Sequence, residues 1–208
     1  MLPIVLTTTL ATADDDGICA SQTPADAGNL TIDGALASGG VATLTSAGAA
    51  RQVLITTVSD ESAKTLTIYG TNANGKTISE TVTGPNATTG TSTLYYTTVT
   101  RVAVSAAFTG AVKVGTNGVG SSRTVGTDYM REQFNIGIGC VVSGTVNYTV
   151  QHTFDDPAVG FSTWFSHPTV ASQAANADGN YAFPVTGIKV LVNSGGGTAT
   201  LKLVQAGI

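Results

Sequence analysis

The chain is poor in charge: only 11% of its 208 residues are Asp, Glu, Lys or Arg, against about 25% in an average globular domain. The nine Lys and Arg are scattered and the formal net charge is -4. No basic patch is present to neutralise phosphates, which excludes nucleic acid as a partner class. Cysteine is as scarce. Cys19 and Cys140 stand far apart, without CxxC spacing or a neighbouring His pair, so the sequence supports no metal site. Two buried thiols acting as small hydrophobes are the favoured reading over one long-range disulfide. No run approaches the roughly 18 apolar residues of a helical membrane span. Residues 1–13, "MLPIVLTTTLATA", place no Lys or Arg ahead of the apolar start, which reads against a secretory leader. A soluble chain with no membrane partner is expected.

Catalytic constellations are equally thin. His152 and His167 are the only histidines, with Asp155 and Asp156 between them and Ser162 and Ser166 nearby. A hydrolytic triad would need these groups converged around an activated nucleophile. No GxSxG elbow occurs, and His152 falls inside the alternating strand pattern "NYTVQHTF", on the face shared by Tyr148, Val150 and Phe154. Packed or interfacial histidines are therefore expected, with no catalytic residue. The acidic "DDDG" at Asp14 to Gly17 lacks the alternating ligands and distant Glu of a calcium loop, and reads as a solvated acidic turn. The glycines of "GTNGVG", residues 115–120, are followed by no Lys-Ser/Thr pair and open no helix, so they cradle no phosphate. No cofactor is expected.

What the chain does have is Gly, 25 residues of it, and still more Thr. Thr and Val suit pleated, half-buried surfaces while Gly punctuates turns, so the fold class read from composition is all-β with many short strands. From Gln52 the pattern runs "QVLITTVS", "TLTIYGT", "KTISETVTG", "STLYYTTVTRVAVSAA" and "AVKVGTNG". Residues 68–82, "IYGTNANGKTISETV", are two alternating runs joined by a loop holding Asn and Gly, a β-hairpin. In its second arm Glu80 shares a face with Ile78 and Val82, which places a charge inward on a strand end or edge, where it discourages stray pairing.

Two antiparallel β-sandwich or jelly-roll-like modules are predicted, at 51–118 and 131–208, preceded by an irregular N-terminal arm at 1–50. A Gly/Ser-rich linker is expected at 119–130. A second hairpin is expected between "GIKVLVNS" and "TATLKLVQA", with Gly195, Gly196 and Gly197 at its tip. The stretch of about 26 residues from Asp155 to Asn180 reads as a long loop, a length usually tied to function or to a small packed unit. It holds Phe161, Trp164, Phe165 and His167, the candidate interface. These aromatics either anchor a partner or cap the end of a sandwich.

Several stretches carry a resemblance together: "DDDGICASQTPADAGNLTIDGALASGGVATL", "LTIYGTNANGKTISETVTGPNATTGTSTLYYTTVTRVAVSAAFTGAVKVGTNGVGSS", "FNIGIGCVVSGTVNYTVQHTFDDP" and "FPVTGIKVLVNSGGGTATLKLVQ". Across most of the chain they resemble small all-β structural proteins encoded among the virion genes of tailed bacteriophages, most of all head decoration or cement proteins. The resemblance implies a non-enzymatic homo-oligomer, a trimer by preference. Its implied partner is the major capsid protein, and its place the outer surface of the head, with assembly in the host cytoplasm. A head-to-tail connector or tail component, or a glycan-binding virion module, are the alternatives.

Overall fold

The computed structural model describes residues 3–45, 48–130 and 134–206. The fold is all-β, 56% strand with no helix among the described residues, as the Thr, Val and Gly content predicts. Hence no helix among the described residues is long and apolar enough to cross a membrane. In chain order the strands are β1 (Ile4–Thr9), β2 (Asp14–Gln22), β3 (Gly28–Asn29), β4 (Ala37–Ser38), β5 (Val41–Thr43), β6 (Ala50–Thr57), β7 (Thr65–Thr71), β8 (Thr77–Thr83) and β9 (Thr89–Thr91). They continue as β10 (Thr98–Val104), β11 (Val112–Ser121), β12 (Val125–Gly126), β13 (Asn135–Ser143), β14 (Asn147–Thr153), β15 (Phe165–Ser166), β16 (Ala177–Tyr181), β17 (Gly187–Ser194) and β18 (Thr198–Ala206).

The chain divides into two compact units, and not in sequence order. An inserted unit takes Thr12–Thr45 and Ala50–Gly118, while a split unit takes the chain up to Ala11, a short return ending at Ala49, and everything from Val119 onward. The lead-in expected as an irregular arm at 1–50 is therefore built into both units as β1 to β5. The expected linker at 119–130 likewise contains the end of β11 and all of β12. Close approach of backbones, a common role of glycine in paired strands, is found outside this segment, at Gly115 and Gly34. A Cβ on Gly115 would lie 2.1 Å from the Asp14 carbonyl oxygen, and one on Gly34 would lie 2.2 Å from that of Asp16. The "DDDG" segment is thus a strand running past two glycines, not a turn.

In the inserted unit one layer has the order β4-β5-β10-β7-β8, with β3 also on β10. Opposite it, β2 pairs with the first part of β11, which in turn neighbours β6 and then β9. Strict alternation of burial along β7 turns Leu66 and Ile68 inward against Val53 and Ile55 of β6 and Val112 and Val114 of β11, which is how a two-sheet core forms. The expected hairpin is β7 and β8, in register from Thr65↔Thr83 to Thr71↔Thr77. Its loop closes through Gly75, whose N–H donates to the Asn72 carbonyl at 2.9 Å and whose φ is +76°, the left-handed position that favours Gly. Glu80 on edge strand β8 points inward as predicted, and its carboxylate accepts from the backbone N–H groups of Thr93 and Leu94. Buried Arg51 donates to the carbonyls of Thr12 at 3.1 Å and Asn117 at 2.5 Å, tying together three places where the chain enters or leaves this unit.

In the split unit one sheet has the order β1-β18-β13-β16, and the opposing layer has β15-β14-β17, with β12 and the last residues of β11 also on β17. Leu201 and Leu203 from the first sheet meet Val150, Ile188 and Val190 from the second in one core. The hairpin expected at Gly195 to Gly197 does not form: β17 and β18 lie in different sheets. The glycines form an arch that crosses from one layer to the other and leans on the similar β13–β14 crossing, with Gly197 N–H donating to the Thr145 carbonyl at 2.8 Å. A Cβ on Gly195 would come within 2.4 Å of that same oxygen.

Candidate functional site

The expected long loop after β14 is largely structured. Its head is closed by Asp155, whose carboxylate accepts from the N–H groups of Ser162 at 2.6 Å and Thr163 at 2.7 Å. These bonds hold the Asp155 carboxyl below its usual range, and they occupy the acid that a His152 dyad would have used. Beyond this turn β15 pairs with β14, setting Phe165 opposite His152. Strand β16 then pairs with β13.

The four candidate interface residues separate into three environments. Phe161 and Trp164 pair with each other, ring centroids 5.9 Å apart, and lie half-buried over the outer side of β17. Trp164 covers the Lys189 ammonium at 4.1 Å from its ring centroid, a cation–π contact, and Phe161 lies where a Cβ on Gly187 would reach. Lys189 is only 7% exposed, and burial pulls its ammonium down to about 8. This pair caps the sandwich.

His167 does not reach the surface. It is buried, and its Nδ1 accepts from the N–H groups of Thr169 and Val170, both at 3.2 Å, while Nε2–H donates to the Asn180 carbonyl at 3.3 Å. The ring organises the chain between β15 and β16, and it drops out of any contact face for that reason.

Phe165 alone of the four is exposed, and it has company the sequence reading missed. Phe154, at the end of β14, and Phe183, just after β16, are exposed by 52% and 44%, alongside 47% for Phe165. Phe154 lies 5.6 Å from Phe165 and 6.0 Å from Phe183 between ring centroids. Under them sits His152, 5% exposed, with centroid distances of 5.3 Å to Phe154 and 5.8 Å to both Phe165 and Phe183. Tyr181 closes the floor at 4.8 Å from His152. Neither His152 Nδ1 nor the Tyr181 hydroxyl has a hydrogen-bond partner. Phe154 carried a signal, since it shares the face of Tyr148, Val150 and His152. Phe183 carried none beyond its place beside Pro184.

The result is a contiguous aromatic surface over a polar floor, without an aligned nucleophile or paired acid. Elsewhere, Asp14, Asp15 and Asp16 bring carboxylate oxygens within 4.8 Å of one another. Lys113 pairs with Asp15, and a hydrogen bond that the protonated Asp16 carboxyl donates to Asp14, then desolvation and the negative charges of Asp14 and Asp15, raise the carboxyl of Asp16. No protein-family model matches the chain, and no curated protein matches it.

Proposed function

We propose that this chain is a non-enzymatic structural subunit that works through protein–protein contacts, and specifically that it decorates or cements the outer capsid lattice of a tailed bacteriophage as a homo-oligomer. The observation that carries the reading is the cluster of exposed Phe154, Phe165 and Phe183. Three adjacent phenylalanines left in water are costly unless a partner covers them. The frame beneath them is built of paired strands and tightly tied loops, suited to holding a face rigid. The low charge of the chain fits a protein that covers much of its surface in an assembly, because charged groups are depleted at interface centres. The resemblance in the strand and turn patterns supplies the phage setting and names the major capsid protein as the partner.

The test is light scattering on the purified chain followed by co-sedimentation with capsids stripped of accessory proteins. A compact oligomer that saturates heads at a lattice-defined copy number, and a Phe165→Asp/Phe183→Asp variant that stays folded but no longer sediments with them, is the expected outcome. A monomer that ignores heads overturns the reading. Joining a ring or tail at a handful of copies would replace it with the connector or tail alternative.

A further inference from the structure

A histidine that is almost wholly buried, ringed by aromatics and missing a hydrogen-bond partner is an unusual floor for an exposed surface. The groups facing His152 are Phe154 just past the end of its own strand, Phe165 from β15, Ile188 from β17, Tyr181 from β16, Phe183 and, across the other side of Tyr181, His167. Only Tyr181 and His167 among them titrate, and none is acidic. Asp155 and Asp156 follow Phe154, but the Asp155 carboxylate is held by Ser162 and Thr163, and that of Asp156 accepts from the Ala158 N–H. Lys189, beside Ile188, registers with Gln151 and lies under Trp164.

We infer that His152 is an acid-sensitive latch for the aromatic surface. While neutral, it serves as the flat ring against which Phe154, Phe165 and Phe183 are arrayed. Once protonated, it carries a charge in a site that offers no carboxylate and leaves Nδ1 buried without a hydrogen-bond partner. Ring faces return part of that cost through cation–π contact, yet a buried unpaired charge is strongly disfavoured. The imidazolium is relieved by swinging outward, which separates the phenylalanines and loosens the two-residue pairing of β15 on β14. Burial, followed by the proximity of His167, holds the proton affinity of His152 below that of an ordinary histidine, in keeping with this geometry. The latch rests on the proposed function for its meaning as a control of partner release; its existence does not.

The experiment is an NMR pH titration of the isolated full chain, following the His152 imidazole and the Phe154, Phe165 and Phe183 rings from neutral pH downward. The expected result is a His152 midpoint below the ordinary value of about 6.5, with all three Phe rings shifting at that same midpoint and an apolar dye binding as they separate. A His152→Gln variant should lose the coupled ring response. Phe rings that stay still while His152 titrates, or a His152 midpoint at or above the ordinary value, overturn the latch. Sedimentation with heads at neutral pH is scored separately. Binding there without a ring response leaves the proposed function and removes the latch, and a ring response in a chain that ignores heads does the reverse.

Discussion

Replacing Glu61 with Ala is expected to destabilise the inserted unit by about 4 kcal/mol. The Glu61 side chain has no exposed surface, and its carboxylate accepts from Lys64 Nζ at 2.5 Å and from the N–H groups of Thr109 at 2.7 Å and Gly110 at 2.9 Å. One residue thus ties the turn before β7 to the turn before β11. Truncation strips a charged acceptor from two backbone donors, and each buried donor left bare costs about 1–3 kcal/mol. Lys64 is 20% exposed and recovers part of its loss in water. A Glu61→Gln variant keeps an acceptor oxygen for the two N–H groups and loses only the ionic partner, so about 1–2 kcal/mol is expected. In urea, with a slope of about 2 kcal/mol/M, Glu61→Ala should move the midpoint of the inserted unit by about 2 M. Far-UV circular dichroism follows both units, whereas fluorescence follows Trp164, which lies in the split unit. The dichroism transition should therefore move further than the fluorescence transition. Burial acts to raise the Glu61 carboxyl, but Lys64 and the two N–H groups outweigh it and hold it below its ordinary value. Its stabilisation is then present above the unfolded carboxyl value, about 4.3, and is lost as pH falls through the lower folded value, so the penalty of Glu61→Ala should shrink in acid. Equal losses for Ala and Gln, or a loss no larger than that of Lys113→Ala, which removes only an exposed ion pair, would refute this account.

Two further outcomes are expected. Cys19 and Cys140 are buried free thiols, pushed up by burial to about 12 and about 11; a thiol reagent should find none in the native chain and two equivalents in denaturant, and rapid native labelling would contradict the packing. Deprotonation of Lys189 should change Trp164 emission with a midpoint near 8, and Lys189→Met should abolish that step. Because burial lowers this base in the fold, the split unit should also gain stability as pH rises from about 8 toward the unfolded value of about 10.4.

The elements legible in the sequence were those whose neighbours are local. The β7–β8 hairpin needs only alternation on both sides of "NANG", and the inward placement of Glu80 follows from period two. The elements misread were those whose partners are distant. Gly195 to Gly197 mark a sharp change of direction, and nothing local distinguishes a hairpin, which keeps both strands in one sheet, from an arch, which sends them to two. Nothing local to Gly34 or Gly115 shows that the backbone of Asp14 to Gly17 runs against them. In the candidate surface, Phe165 was found because aromatics gathered around it in sequence. Phe154 and Phe183 reach it from just beyond the ends of two separate strands, and the burial of His167 depends on hydrogen bonds to residues 169, 170 and 180.

The interrupted course of the chain has a consequence for the order in which the protein can be made. Strand β1 has its sheet partner in β18, with Thr9 bonded to Thr198 at a separation of 189 residues, whereas the strands of the inserted unit pair among themselves, apart from the last residues of β11, which pair with β17. During synthesis the inserted unit can close while the ribosome is still working. An apolar strand, "IVLTTT", must then wait unpaired until the far end of the chain emerges. Long-range closure of this kind is slow and leaves strand edges open to wrong partners, so the Thr-rich second half of β1 keeps the waiting strand less adhesive than a wholly aliphatic one.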